Sequence, residues 1–291
     1  MTLSDPKTIL LAALLLVTAV FVSLWSRASW LRLAIGFITN FFDTLGIGSF
    51  ATTTTLFRLR KLVADENIPG TLNVGHALPT VVQALIYITI VEVDFTTLSL
   101  LIVAATAGSW IGADVVAGLN RRAIQRGMGI ALLVAAVLMA MTALNRFPGG
   151  GTALALTQGK LIAGVAINFA LGALMTLGIG LYAPCMIMVS LLGMNPTAAF
   201  PIMMGSCAFL MPFGGYRFIR KEKYDMRAAM GLAIGGIPAV LIAALIVRSL
   251  PLNWVRWLVV VVVVYTAISL LRSAAPSRPT KGTKNFDHQK I

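Results

Sequence analysis

Few side chains in this sequence are able to do chemistry, and those few stand in unusual places. Asp43 is a carboxylate inside an otherwise apolar stretch, next to Thr44-Leu45-Gly46-Ile47-Gly48. His76 lies in the next apolar stretch, close to Asn73. A carboxylate within a membrane segment costs at least about 2.5–3.5 kcal/mol on insertion scales, so it is retained for a purpose. Histidine changes charge near neutral pH. Asp43 and His76 are therefore the candidate proton- or cation-coupling groups, with a helix cap or a neutral hydrogen-bond partner as the structural alternatives. Around them, Gly46, Gly48, Gly178 and Gly180 would let backbone approach a ligand closely. Thr52, Thr53, Asn73, Cys185 and Ser206 complete the candidate substrate-binding set.

The elements that must position these residues are membrane helices. Of 291 residues, 58% are hydrophobic and 11% charged, with a mean hydropathy of +0.89. A soluble domain carries about 25% charged residues, so lipid is the solvent for most of this surface. The net charge of +13 gathers in short clusters between apolar runs, the pattern of the positive-inside rule and not of a nucleic-acid binder. Apolar runs predict a retained N-terminal helix over 8–25, within residues 1–31. Further spans are predicted over 72–91, 97–118, 127–145, 197–216, 228–248 and 253–271. A polar, Lys-rich tail covering 273–291 reads as disordered.

Two stretches, 33–57 and 161–192, do not fit a simple span. Each carries Gly-Ile-Gly near its middle, and the second adds Pro184. Glycine weakens a helix by about 1 kcal/mol and proline by about 3, so each reads as two half-helices meeting at a break. If both are re-entrant hairpins, every basic loop (58–61, 121–126, 217–227) falls in the cytoplasm, with the N-terminus outside. If each were a single span, 121–126 and 217–227 would fall on opposite sides.

The octet Thr44–Ala51 recurs as Thr176–Ala183, and Phe37 and Phe169 keep the same offset. Residues 32–146 and 147–272 thus read as two repeats, each a hairpin followed by three spans. Three crossings invert the second copy, and inverted repeats with interrupted helices are a transporter architecture. Half-helix ends at the breaks would aim free N–H groups at the midplane and favour an anion. The fold expected is an all-α integral membrane protein. Asp114 is expected to neighbour Arg121 or Arg122, and Lys160 to snorkel at the outer entrance.

The two Gly-Ile-Gly hairpins, the stretch Asn73-Val-Gly-His76-Ala-Leu-Pro79 and the small-residue run Ala107-Gly108-Ser-Trp-Ile-Gly112 resemble the TauE/SafE sulfite exporter family of permeases over roughly residues 8–272. The resemblance implies a secondary transporter of small sulfur-containing anions (sulfite, thiosulfate or sulfonates) in the cytoplasmic (inner) membrane. Proton coupling would run through Asp43 or His76. It implies no cofactor and no nucleic-acid partner, and a homodimer is compatible with it. Two rivals stand beside it. One is a divalent metal transporter using Asp43, His76, Cys185 and Cys207. The other is a non-transporting membrane assembly subunit. No nucleophile–base constellation, phosphate loop or zinc spacing supports an enzyme.

Overall fold

The structure is a computed structural model that describes residues 29–45, 47–146, 150–178, 180–245 and 253–275. The helix expected over 8–25, Gly46 and the tail beyond 275 lie outside these residues. The first hairpin is α1 (Trp30–Thr44) and α2 (Ser49–Leu59). A short 3-10 turn, Asp65–Asn67, leads into α3 (Ile68–Gly75), α4 (Ala77–Ile90), α5 (Phe95–Gly118) and α6 (Arg121–Ala143). The second is α7 (Gln158–Met175) and α8 (Tyr182–Leu191). Another 3-10 turn, Pro196–Ala198, leads into α9 (Ala199–Arg220), α10 (Met226–Leu245) and α11 (Asn253–Ala274). Six helical segments are long and apolar enough to cross a membrane, and the chain is a multi-pass α-helical membrane protein. α2 and α8, of 11 and 10 residues, reach only about 16 Å and cannot cross a hydrocarbon core of about 30 Å.

Local chemistry sets several starts and stops. Asn120 caps α6, its side chain accepting the Ala123 N–H at 2.9 Å. Arg121, Arg122 and Arg126 therefore lie on the first turns of a helix and not in a loop. Asp225 does the same for α10, accepting from Ala228 N–H at 2.7 Å. The span expected over 72–91 is instead two helices with a bend at His76. Asn73 and His76 interrupt the apolar run there, and Pro79 has no N–H to offer the Gly75 carbonyl, so the bend has a local cause in the sequence.

Asp94 caps α5, accepting the Thr97 N–H at 2.7 Å and its hydroxyl at 2.8 Å. These bonds hold its carboxyl below the usual carboxylate range, the backbone bond first. A depressed carboxylate stabilises the fold above its unfolded pKa and loses that contribution as pH falls through the folded value. Asp94→Ala should therefore lower the melting temperature at neutral pH. The gap from the parent should close as the pH drops below about 4, which thermal unfolding in detergent at several pH values would measure.

Small residues bring the helices together. α7 packs on α5, α1 on α10, α9 on both α5 and α4, and α6 on α11. A Cβ on Gly108 would meet the Phe169 carbonyl, and one on Gly172 the Ala105 carbonyl. Between α1 and α10, Gly235 faces the Leu33 carbonyl and Gly231 faces Arg32. Membrane helices lack a hydrophobic drive to associate and rely on such close backbone approach.

The two ends of the bundle differ in charge. At one end, Arg58 at the close of α2 pairs with Asp65 and donates to Ser273 Oγ at 2.8 Å. Gln125 donates to Asp65 at 2.7 Å, and Arg121 lies 3.6 Å from Glu66. Asp114 pairs with Lys221 at 2.6 Å and Arg217 at 3.5 Å. Its expected partners Arg121 and Arg122 are not used, because α9 and not α6 packs against α5. Arg32 lies against the first turns of α10, so α1 starts and α2 ends at this arginine-rich end. At the opposite end Asn195 N–H donates to Ala153 O at 2.8 Å, and Asp94 N–H to Leu154 O at 2.9 Å. Leu156 before α7 and Leu192 after α8 both flank Gly164, so α7 starts and α8 ends there.

Candidate functional site

At the first break, Asp43 Oδ1 accepts the Ser49 N–H at 2.6 Å. A carboxylate thus sits at the N-terminus of α2, where the helix dipole favours negative charge. Its other oxygen accepts from Gln83 Nε2 at 3.1 Å. That amide also donates to Thr44 Oγ1 at 2.8 Å, and the Tyr87 hydroxyl donates to Thr44 O at 2.8 Å. Gln83 Oε1 is buried with no hydrogen-bond partner.

The second break is built differently. Gly178 has φ +100° and open space around its missing side chain; glycine is needed there for backbone conformation, not for room. α8 begins at Tyr182 with no side-chain cap. In the octet alignment Asp43 corresponds to Met175, so the second copy has no carboxylate to fill its helix end. The expectation of two equivalent half-helix ends is corrected: the first is already capped by the Asp43 carboxyl group.

Both breaks line one small cavity of about 30 Å³. Asp43, Gly48 and Ser49 reach it from the first, and Gly180, Leu181 and Tyr182 from the second. Met175, Met203, Met204, Cys207 and Met211 close it.

The other residues singled out from sequence lie elsewhere. His76 is fully buried and spans two hydrogen bonds, Nδ1 to Asn40 Oδ1 and Nε2 to Thr53 Oγ1, both 3.0 Å. Asn40 Nδ2 donates to Gly36 O at 2.7 Å, which leaves its oxygen to accept from His76 Nδ1–H. Nε2 shares the second bond with the Thr53 hydroxyl, which can donate or accept, so the network fixes a proton on Nδ1 and leaves Nε2 to the hydroxyl. Thr53→Val would strand a buried ring nitrogen, a loss of about 1–3 kcal/mol; an unchanged unfolding temperature would count against this bond. Thr52 bonds back to Ser49 O at 2.9 Å. Asn73 donates to Pro69 O at 2.9 Å, and Ser206 accepts from Asn168 at 3.1 Å. Cys185 is buried in the core and Lys160 is exposed. Thr53, Asn73, Ser206 and Cys185 therefore do not line the cavity between the breaks. Met175, Met203, Met204 and Met211 do, and none of them is among the residues expected to bind. Their one signal is spacing, since 203, 207 and 211 recur every four residues along α9.

Residues 160–290 match the family model of the sulfite exporter TauE/SafE. The matched stretch begins in α7 and includes the second break. TauE/SafE similarity thus falls on the uncapped half of the cavity. No curated protein and no solved structure matches the chain.

Proposed function

We propose that the chain is a secondary transporter of a small sulfur-containing anion (sulfite, thiosulfate or a sulfonate), coupled to protons. The observation that carries this reading is the cavity lined by two broken hairpins, with Asp43 capping the helix at the first break and an apolar N-cap residue, Leu181, at the second. The family match over the second half supports the substrate class. The anion docks on the N–H groups that open α8, where the dipole favours negative charge. At about 30 Å³ the cavity has room for a water or a bare ion only, so this is a closed state and the anion enters when the breaks part.

Two inverted repeats, 32–146 and 147–272, supply the alternating access. The recurring element order supports this, as do the first hairpin ending at the arginine-rich end and the second at the opposite end. The arginine-rich end faces the cytoplasm of the inner membrane, by the positive-inside rule, with the N-terminus outside and the C-terminus inside. A cavity of about 640 Å³ at that end, lined by Arg58, Lys61 and Arg121, concentrates anions near the first hairpin.

Asp43 is the coupling group, and His76 a support for the hairpin. An anion beside the Asp43 carboxylate is repelled, and a proton removes the repulsion. Gln83 serves both states. Its Nε2 donates to the carboxylate, and a flip of the amide brings its unused Oε1 to accept from the protonated acid.

Flux into proteoliposomes of sulfite, thiosulfate and alkanesulfonates under an imposed pH gradient tests the proposal. Saturable uptake is expected, impaired by Gly178→Val, which cannot hold φ +100° without strain. No saturable flux of any of these anions would remove the reading. The divalent-metal rival gains no support: among the described residues no three His, Cys, Asp or Glu side chains come together.

A further inference from the structure

The transport reading leaves the sulfur atoms of the central cavity unused. The Cys207 thiol donates a hydrogen bond to Met175 Sδ at 3.6 Å, and Met203, Met204 and Met211 line the same space. All five side chains are buried, between 1% and 6% exposed, and Cys207 is a free thiol. Methionine is the ordinary filler of irregular cores. Filler does not require that four methionines and a thiol from two elements surround one void beside a carboxylate. That void matches a bare monatomic ion in size, and its few polar side chains include Asp43, Ser49 and Thr80.

Thioether and thiolate ligands select soft cations, Cu(I) above all, over the hard divalent metals that favour oxygen donors. Two sulfurs 3.6 Å apart are spaced as neighbouring ligands of one ion with metal–sulfur bonds of about 2.3 Å. Cys207 gives up its S–H proton when it binds the ion, and Asp43, which lines the cavity without serving as a ligand, takes that proton, so the thiolate neutralises the cation beside a protonated acid. We propose that the cavity between the two breaks is a binding site for one soft monovalent cation, Cu(I) or Ag(I), held by Met175 and Cys207 with a further methionine of α9. Such an ion ties α7 to α9 across the space that the anion must enter, so it blocks transport and is not carried.

The site is tested on the purified full chain in detergent, with no anion substrate present, by titrating Cu(I) against a chromogenic chelator. One Cu(I) per chain is expected to resist the chelator. Met175→Leu, which keeps both thiols, should weaken binding about tenfold or more, whereas Met186→Leu, outside the cavity lining, should not. Protein labelled with selenomethionine should give a copper–selenium shell in X-ray absorption. A sulfur-only shell without selenium, or a Met175→Leu variant of unchanged affinity, would overturn the proposal by reducing the site to a reactive thiol. Because the readout is metal binding, a chain that binds Cu(I) and moves no anion keeps this site and loses the transport reading. A chain that moves anions and binds no Cu(I) does the opposite.

Discussion

Replacing Gly172 with leucine is expected to prevent the chain from folding into a stable bundle. Even a methyl group at this position would run into the Ala105 carbonyl of α5. The obstacle is backbone, which cannot swing aside as a side chain can. Overpacking a core costs about 1–3 kcal/mol when neighbours can shift; here α5 and α7 must separate along their length. Gly108 and Gly112 on α5 make the matching approaches to Phe169 and Ala173, and the Asn168 bond to Leu101 O at 2.7 Å would break with them. Gly172→Ala should fold with a lowered melting temperature. Gly159→Ala, on the same helix but with open space around it, should change stability by less than about 1 kcal/mol. If Gly172→Leu purifies as a monodisperse protein of parental stability, the packing account of α5 and α7 is wrong.

Asp43→Asn should yield a folded protein whose anion flux no longer responds to a proton gradient. The asparagine oxygen can still accept from Ser49 N–H, and the amide nitrogen can donate to the unused Oε1 of Gln83 once that amide flips. The substitution therefore imitates the protonated acid and preserves the hairpin. Coupling between two ligands is commonly worth roughly 5–150-fold in affinity, and that pH-dependent gain is what the variant should lose. Gln83→Leu provides a second handle, since it removes both the donor and the waiting acceptor. Unaltered pH dependence in Asp43→Asn would make Asp43 a cap for α2 and nothing more.

Much of the frame was legible in the sequence because it rests on composition and on glycine. Apolar runs marked five of the six span-length helices among the described residues; the sixth, Gln158–Met175, was read as part of a hairpin. Gly48 of the first Gly-Ile-Gly motif and Gly178 and Gly180 of the second fall between helices. Other features depend on contacts that spacing does not encode. Asp114 finds Lys221, 107 residues away, because α9 packs on α5. The Asp43 bond to Ser49 makes the two breaks unequal, although their octets are nearly alike. The sulfur lining stayed hidden for a chemical reason: a methionine in a membrane helix reads as packing until a cavity gives its sulfur something to face.

The central claim is that an anion sits between the breaks on the uncapped start of α8. Selenite, an analogue of sulfite, makes that position directly visible through the anomalous scattering of selenium in crystals of the anion-bound chain. The account predicts one selenium peak between the two breaks, beside Gly180 and Leu181 at the start of α8. A peak confined to the arginine-rich end, or selenite bound by the purified protein with no peak between the breaks, would contradict it.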